Sequence, residues 1–198
     1  MNKEKPILFS TPMVRAILES KKDMTRRVVK GPHCTDINGS VNIYGFWFIP
    51  EQDKDHAFDG IAPYCVGDVL WVRETFTKSE CGEYIYRADK IFDGMGKGDF
   101  AWNWTPSIFM PREAIRIKLK VKHIRLERIQ GISERDAVRE GITTISFVLP
   151  DEKTKLKPKG GTFRTEFKHF WDDLNAKRGY GWDKNPWVWV IQFDRIKP

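Results

Sequence analysis

The sequence predicts an α+β protein, a small mixed β-barrel with flanking helices, in one domain that spans residues 1–198. Short β-prone segments outnumber helical ones along the chain, which favours a mixed barrel over a helical bundle. With 198 residues, 40% of them apolar, the chain has room for one substantial core. Residues 187–193 are apolar on both faces, which predicts a buried central strand.

The first helix is predicted to begin at Thr11-Pro12. Thr11 is expected as the N-cap and Pro12 as the first helical position, where its missing N–H would be unsatisfied anyway. Apolar residues then recur at helical spacing on one face: Met13, Val14, Ile17 and Leu18. A basic stretch follows the helix, and the pair Val28-Val29 predicts the start of a strand.

The basic stretch at residues 20–27 is a candidate for chemistry. Lys22 lies among other cations, and like charges lower the pKa of a lysine because they disfavour its charged form. A neutral lysine is a usable base, and the Thr25 hydroxyl three residues later is a group that it could activate. The alternative is a set of solvated charges that complement the helix dipole.

Loop insertions are expected near residues 31–64, 90–110 and 145–162. Within the first, residues 43–49 are aromatic and β-prone, which predicts a hairpin or an insertion loop. Residues 94–98 are rich in glycine but lack the strand-turn-helix frame of a phosphate loop, so a flexible loop is favoured.

Trp102 and Trp104 end the glycine-rich stretch. Two tryptophans beside a glycine loop could stack on a base. They could equally plug the end of a barrel, and this second interpretation is favoured.

A strand is predicted at residues 69–76, after the turn Gly67-Asp68. Glu74 points to the apolar side of this strand, so either the strand ends there or the carboxylate is partly buried. A buried carboxylate needs a partner, and Arg26 or Arg27 is a candidate. Residues 84–88 predict a further short strand.

Residues 113–122 have the cleanest alternation in the chain, which predicts a strand with one apolar and one basic face. The apolar positions are Ile115, Ile117, Leu119 and Val121, and the basic positions are Arg116, Lys118, Lys120 and Lys122. One interpretation is a ridge that neutralises nucleic-acid phosphates. The other is an exposed strand whose lysines prevent edge-to-edge pairing, and the sequence favours neither.

A two-turn helix is predicted at residues 132–141. Ser133 caps it, Asp136 holds the capping-box position and Gly141 ends it. Glu140 places an acid at the negative end of the helix dipole, an unfavourable choice that makes it a candidate functional residue. A plain surface glutamate is the alternative.

A flexible loop is predicted at residues 150–161, and an amphipathic helix follows it. The apolar residues of that helix are Phe163, Phe167, Phe170, Trp171 and Leu174. Residues 179–182 then turn the chain into the last strand.

The net charge of +7 and the pI of about 9.3 suit a nucleic-acid partner. No apolar run approaches the roughly 20 residues that span a bilayer, and no secretory signal is expected because residues 1–12 lack a long apolar core. Cys34, Cys65 and Cys81 have no paired spacing, which indicates free thiols in a reducing compartment and a cytoplasmic location. Their spacing to His33 and His56 matches no common zinc site, so no metal or cofactor is expected.

Residues 20–27, Ser-Lys-Lys-Asp-Met-Thr-Arg-Arg, resemble the Gly-x-Lys-x-x-x-x-Arg motif of the ASCH-domain family, with Ser20 at the glycine position. The turn at residues 67–68, the helix at 132–141 and the Trp-rich last strand fit the same fold. Further segments are similar to phage- and prophage-encoded ASCH proteins: Gly-Asp-x-Leu-Trp-Val-Arg-Glu, Tyr-Arg-Ala-Asp, Pro-Ser-Ile-x-Met-Pro and Asn-Ala-Lys-Arg-Gly-Tyr-Gly-Trp. The resemblance covers nearly the whole chain and implies a PUA-like barrel with a cleft at the Lys-x-x-Thr segment.

The resemblance implies an amidohydrolase as the first hypothesis. A small bacterial ASCH enzyme hydrolyses the acetyl amide of N4-acetylcytidine with a lysine, a threonine and a glutamate, which correspond by motif to Lys22, Thr25 and Glu140. Lys22 would take a proton from Thr25 or from water, and the nucleophile would attack the amide carbonyl. Glu140 would hold Lys22 and pass the proton to the leaving amine.

The second hypothesis is a non-catalytic RNA- or nucleotide-binding module of phage origin, whose cleft holds a nucleotide or an RNA end. The candidate ligand contacts are Arg26, Arg27, Arg73 and Glu74, together with the ridge Arg116, Lys118, Lys120 and Lys122. An arginine could stabilise an oxyanion or hold a phosphate. A third interpretation, a phage accessory protein that acts on another protein, leaves no signature in the sequence.

Overall fold

The computed structural model describes residues 3–30, 33–35, 39–49, 53, 55–89, 103–142 and 161–196, without the side chains of 33–35 and 56. In these ranges the chain forms three α-helices, Thr11–Leu18 (α1), Glu134–Arg139 (α2) and Phe163–Asn175 (α3). The strands described are Glu4–Leu8 (β1), Met24–Val28 (β2), His33–Thr35 (β3), Val41–Ile43 (β4), Phe46–Phe48 (β5), Val69–Arg73 (β6), Phe76–Lys78 (β7), Tyr84–Tyr86 (β8), Lys118–Arg128 (β9) and Trp187–Ile196 (β10). The protein is therefore of mixed α+β class, as the sequence predicts.

The main sheet has five strands in the order β1-β6-β9-β10-β2. Only β1 and β6 run parallel, and the other neighbours are antiparallel. β10 lies between β9 and β2 and is buried over most of its length, which confirms the predicted central strand. β1 and β2 are the two edges, and the described residues contain no backbone ladder that joins these edges into a closed barrel.

The strand predicted at residues 113–122 is displaced in the structure. It begins at Lys118, because residues Arg112–Ala114 form a 3-10 turn after Pro111, and it continues to Arg128. The register with β10 shifts so that Phe193 pairs with Val121 and Gln192 with His123, which leaves Lys122 as an extra residue in a bulge. β9 is also an inner strand, so the interpretation of its lysines as protection of a sheet edge is wrong.

Both faces of the main sheet are covered. On one face the buried residues Val14 and Ile17 of α1 belong to the same apolar cluster as Leu70, Leu119 and Ile191 of the sheet. On the other face α2 and α3 cover the end of the sheet that holds β2 and β10. The buried residues on that side are Met24, Ile129, Ile132, Ala137, Ile142, Phe167, Trp171, Trp182, Val188 and Val190. Full burial of each Leu, Ile or Phe contributes about 1.5–3 kcal/mol, so the two layers stabilise the positions of β2 and α2.

Two small sheets flank the main one. β3, β4 and β5 form a three-stranded antiparallel sheet, and the hairpin predicted at residues 43–49 is confirmed with its first strand starting earlier, at Val41. β7 and β8 form a second hairpin. The strand predicted at residues 69–76 is divided, because the ladder of β6 ends at Arg73 and Phe76 pairs instead with Tyr86 and Thr105.

Two boundaries near the basic stretch differ from the prediction. The N-cap of α1 is Ser10 rather than Thr11, although its side chain makes no capping hydrogen bond. β2 begins at Met24 rather than at Val28, so Thr25, Arg26 and Arg27 are strand residues. The helix at 163–175 is confirmed, with Thr162 as its N-cap.

Some predictions fall on other parts of the chain. The glycine-rich segment 94–98, Trp102 and the loop at 150–160 lie outside the described residues. No helix among the described residues has the length and the apolar character needed to cross a membrane.

Candidate functional site

Lys22 is placed by the turn that follows α1. Ser20 adopts φ +58, in the left-handed region that favours glycine, and the amides of Lys21 and Lys22 both donate to the Ala16 carbonyl. Lys22 then forms an isolated β-bridge with Glu140 at the end of α2. Next to it Gly141 has φ +95, and a Cβ there would lie 3.0 Å from the Ala16 Cβ.

The Lys22 ammonium uses its three N–H groups within the protein. Nζ donates to the Met24 carbonyl at 2.7 Å, to the Glu140 carbonyl at 2.7 Å and to Glu140 Oε2 at 2.8 Å. The side chains of Lys22 and Glu140 are 1% and 3% exposed. This pair is an internal ion pair, and its ammonium is fully hydrogen-bonded.

The pKa of Lys22 is lowered from its ordinary value, in the direction that the sequence predicts. Burial is the largest cause, Glu140 opposes the shift, and the nearby Arg27 and Arg26 add smaller effects in the lowering direction. The prediction attributed the shift to neighbouring cations, and these prove to be a minor contribution.

Arg26 extends this pair into a larger ionic cluster. Its guanidinium donates to Glu140 Oε1 at 3.0 Å, to Glu127 Oε1 at 2.8 Å and to Asp136 Oδ2 at 3.0 Å. Arg125 bridges the same Glu127 and Asp136 at 3.1 and 2.6 Å. We call these six residues the Lys22 network: Lys22, Arg26, Arg125, Glu127, Asp136 and Glu140. The network ties α2 to β2 and β9 with three cations and three carboxylates.

Thr25 does not join the network. It lies on β2 opposite Ile191 and is buried, but adjacent strand residues point to opposite faces, and Arg26 occupies the face of Glu140. The described contacts include no hydrogen bond between Thr25 and Lys22. Of the three residues proposed for catalysis, the structure brings together Lys22 and Glu140 only.

A second internal cluster surrounds Glu74. Arg116 donates to both carboxylate oxygens of Glu74, at 2.8 and 2.9 Å, and also pairs with Asp89. The Arg116 guanidinium lies 3.9 Å from the ring centroid of Tyr86. Burial raises the pKa of Glu74, and Arg116 opposes that shift. The expectation that Arg26 or Arg27 pairs with Glu74 is therefore wrong, because both lie on β2, whereas Arg116 is adjacent.

Three of the remaining four candidate contacts also pair within the protein, and the two lysine pairs among them are exposed. Arg73 donates to the Met110 carbonyl at 3.1 and 3.3 Å. Lys118 pairs with Glu4 and Lys122 with Asp194, whereas Lys120 is exposed and forms no ion pair with a described residue. A continuous free ridge from Arg116 to Lys122 is thus not present.

A cleft of about 360 Å³ lies between the two edge strands of the main sheet. β1 contributes Ile7 and Leu8, and β2 contributes Arg27 and Val28. The remaining walls come from residues 29–30 after β2, the loop at 61–64, the hairpin of β4 and β5 and the inner strand β10. Those lining residues are Val29, Lys30, Ile43, Tyr44, Ile61, Pro63, Tyr64 and Trp189. We call this space the Arg27 cleft.

Arg27 is the notable polar group of the cleft. Its Nη2 donates to the Leu8 carbonyl at 2.8 Å, which links the two edge strands through a side chain. Its Nε is buried and has no hydrogen-bond partner among the described residues, which also provide no carboxylate ion pair. Burial lowers the pKa of this guanidinium. A buried donor without a partner is costly, and a ligand acceptor would satisfy it.

Sequence reasoning selected Arg27 but missed the aromatic walls of the cleft. The Tyr64 hydroxyl donates to the Pro6 carbonyl at 3.1 Å, and the Tyr44 hydroxyl donates to the Lys30 carbonyl at 2.8 Å. Trp189 lies across from Arg27 in the β10–β2 register. The aromatic run at 43–49 carried a signal for Tyr44, but nothing in the local pattern places Tyr64 beside β2.

Two further features concern possible metal ligands and the cysteine thiols. The part of the chain described here contains no group of three or more His, Cys, Asp or Glu residues able to hold a metal ion. Cys65 and Cys81 are free thiols, and the side chains of His33, Cys34 and His56 lie outside the description.

The fold and the site define an α+β protein with a cationic, aromatic cleft beside a buried ionic network. Comparison with protein-family models, with curated proteins and with solved structures gave no match. Its function is therefore argued from the site.

Proposed function

We propose that the protein binds RNA or a modified nucleoside in the Arg27 cleft. The observation that supports this most is the buried Arg27 Nε, which has no partner among the described residues at the wall of an aromatic cleft. A planar guanidinium binds phosphate or a base carbonyl through paired hydrogen bonds. The ligand would supply the acceptor that the protein itself does not.

The walls of the cleft suit the remainder of a nucleotide. Tyr44 and Tyr64 offer ring surface on which a base can stack, and stacking tolerates any base. Lys30 is exposed at the same cleft and adds a second cation for a phosphate. The net charge of +7 favours an anionic partner over a neutral one.

The proposal includes membership of the ASCH-domain family, with a PUA-like arrangement of the main sheet. Support comes from Ser20, whose left-handed backbone stands where the family motif has glycine. Arg27, the last residue of the motif, faces the cleft, as a ligand-binding role for the motif requires.

Isothermal titration with cytidine 5′-monophosphate tests the proposal. We expect Arg27→Gln to weaken binding roughly 10- to 100-fold, because a hydrogen bond to a charged group contributes about 1.5–3 kcal/mol. Arg27→Lys should give an intermediate loss of affinity, because lysine keeps the positive charge but lacks the planar guanidinium that makes paired hydrogen bonds. Lys120→Ala is the matched control, an exposed cation that is not part of the cleft lining. Equal affinities for wild type and Arg27→Gln, with both folded, would reject the site.

The second candidate function is an amidohydrolase acting on an acylated nucleobase such as N4-acetylcytidine. The favouring observation is the Lys22–Glu140 contact at 2.8 Å together with the lowered pKa of Lys22. Neutral Lys22 would take a proton from Thr25 or water, the oxygen would attack the amide carbonyl, and Glu140 would pass the proton to the leaving amine. Where Thr25 is the nucleophile, water then hydrolyses the acetyl ester that it forms, so by either route water adds across the amide and the products are acetate and cytidine.

The geometry supports binding better than hydrolysis. All three N–H groups of the Lys22 ammonium donate hydrogen bonds within the protein, and Lys22 does not line the Arg27 cleft. Its Nζ instead lies 5.5 Å from the ring centroid of Phe9. Hydrolysis requires Lys22 to release one of these partners and become accessible.

Ultraviolet absorbance of N4-acetylcytidine with purified protein separates the two candidates. Turnover that Lys22→Met abolishes, while Thr25→Val lowers it, would establish the hydrolase. If there is no turnover at high protein concentration but cytidine monophosphate binds in an Arg27-dependent way, the result would support binding without hydrolysis.

A further inference from the structure

The hairpin of β4 and β5 places bulky apolar side chains in solvent. Tyr44 is 54% exposed, Phe46 61% and Trp47 56%. Tyr44 and Gly45 form the two-residue turn, with φ +53 and +91, as a type I′ turn requires. Glycine suits its position, but a tyrosine in the left-handed region is an unfavourable choice where Asn or Asp is usual. Locally unfavourable residues concentrate at functional sites.

The strand register sorts these side chains between the two faces of the hairpin. Phe46 pairs with Ile43 and Phe48 with Val41, and the buried members of these pairs face the core. Ile43 also lines the Arg27 cleft. Phe46 therefore shares the face of the cleft wall and continues it outward. Trp47 pairs with Asn42 and lies on the opposite face.

The Tyr44 side chain connects this exposed surface to the cleft. Its ring lines the cleft, and its hydroxyl donates to the Lys30 carbonyl at 2.8 Å, next to the residues of β2. Aromatic side chains thus follow one another along the hairpin, from Tyr44 at the cleft to the exposed Phe46 two residues later. Cations accompany it, with Arg27 at the wall and Lys30 at the surface.

We propose that Phe46 stacks on a second base, so that the ligand of the Arg27 cleft is single-stranded RNA rather than a free nucleoside. The proposal rests on the proposed binding function and extends it by one nucleotide. One nucleotide occupies the cleft, its phosphate contacts Arg27 or Lys30, and the next base lies on Phe46 outside. Aromatic platforms beside a cationic groove are the usual means by which proteins bind single strands without sequence preference.

Titration of cytidine 5′-monophosphate and of a cytidine trinucleotide, at one salt concentration, tests this. Wild type should bind the trinucleotide about 5- to 100-fold more tightly, the range expected for stacking one base on an aromatic ring. Phe46→Ala should abolish that gain and leave the affinity for the monophosphate unchanged. Trp47→Ala, an equally exposed aromatic of the same hairpin, should keep the gain. Phe46→Leu keeps apolar bulk without a ring and should also lose it.

Each other outcome has a defined meaning. Equal affinity of wild type for the two ligands, or a gain retained in Phe46→Ala or Phe46→Leu, overturns stacking on Phe46 and leaves the cleft proposal intact. Equal losses in Phe46→Ala and Trp47→Ala also overturn it, since only Phe46 shares the face of the cleft. Failure of wild type to bind either ligand rejects the cleft function as well.

Discussion

Lys22 and Glu140 are separated by 118 positions in the sequence and meet through both main chain and side chain, with Nζ 2.8 Å from Oε2. The contact joins the turn after α1 to the end of α2. The second oxygen of Glu140 accepts from Arg26, so both oxygens of the carboxylate are occupied. Because every N–H group of the Lys22 ammonium and both carboxylate oxygens of Glu140 are hydrogen-bonded, the pair fixes the position of α2 on the sheet.

Replacement of Lys22 should change how stability depends on pH. Because its pKa is lowered, the folded protein holds this proton less tightly than the unfolded chain does. Stability should therefore rise with pH between the folded-state pKa and the ordinary value of 10.5. We expect the free energy of unfolding of wild type, measured in urea from pH 7 to 10, to increase relative to that of Lys22→Met. A difference that is constant across this range would contradict a buried, titrating Lys22.

Ser20→Gly should stabilise the protein. A left-handed backbone costs a non-glycine residue roughly 1–2 kcal/mol, so glycine would relieve this strain in the folded protein. Part of the stabilisation is offset because glycine gives the unfolded chain more conformational entropy. We expect a net increase of about 0.5–1 kcal/mol in urea unfolding. Ser10→Gly is the control, since Ser10 has φ −72 and no capping hydrogen bond, and it should give no increase. Destabilisation by Ser20→Gly would mean that the serine side chain makes a favourable interaction there.

Gly141→Ala should destabilise the protein more than Gly179→Ala. Both glycines have positive φ, +95 and +84, so each substitution carries a backbone cost of about 1–2 kcal/mol. At Gly141 the new methyl would also lie 3.0 Å from the Ala16 Cβ and 3.4 Å from the Lys22 Cβ, whereas at Gly179 nothing lies within 4 Å. The extra crowding should cost at least about 1 kcal/mol. Equal losses in urea unfolding would indicate that α2 shifts away from Lys22 freely.

The Glu74–Arg116 pair should behave as a buried pair. Arg116→Ala leaves a carboxylate that is 1% exposed without its main partner and should cost about 3 kcal/mol, near the lower end for a broken buried pair. The double variant Glu74→Leu with Arg116→Met should recover most of that loss. Arg112→Ala, which breaks an exposed pair with Glu4, should cost at most about 1 kcal/mol. Additive losses in the double variant would show that the two side chains are not coupled.

The local sequence pattern is sufficient to predict an element when its buried residues recur at one regular spacing or form one apolar run. The buried strand β10 and the amphipathic helix α3 are of this kind, because a single face or a fully apolar run identifies each. The alternation at Lys118–Lys122 is also borne out, since Leu119 and Val121 are buried and the three lysines are exposed, and the bulge at Lys122 changes the pattern only for the residues after it. Sheet order was hidden, since nothing near residues 118–128 indicates that the strand is an inner one.

The ion-pair partners at the site are far apart in the sequence, so local patterns do not predict which charges pair. Glu74 was expected to need a cation, but the choice of Arg116 over Arg26 depends on the pairing of β6 with β9. Arg125 and Glu127 lie beyond the strand predicted at 113–122, and the pairing of β9 and β2 with β10 places them on the same face as Arg26. The identity of a buried charge can thus be predicted locally, whereas its partner requires the topology.

Salt dependence should distinguish the Arg27 cleft from a basic ridge. A single-stranded ligand that places one or two phosphates at Arg27 and Lys30 releases few counterions. The slope of log K against log salt for the cytidine trinucleotide should then be about −0.7 to −1.4. Arg27→Gln should make this slope shallower by about 0.7. The triple variant Lys118→Ala, Lys120→Ala, Lys122→Ala should leave it unchanged, because two of these lysines already pair with Glu4 and Asp194. A slope much steeper than −1.4 in wild type, lost in the triple variant, would instead assign phosphate contacts to β9.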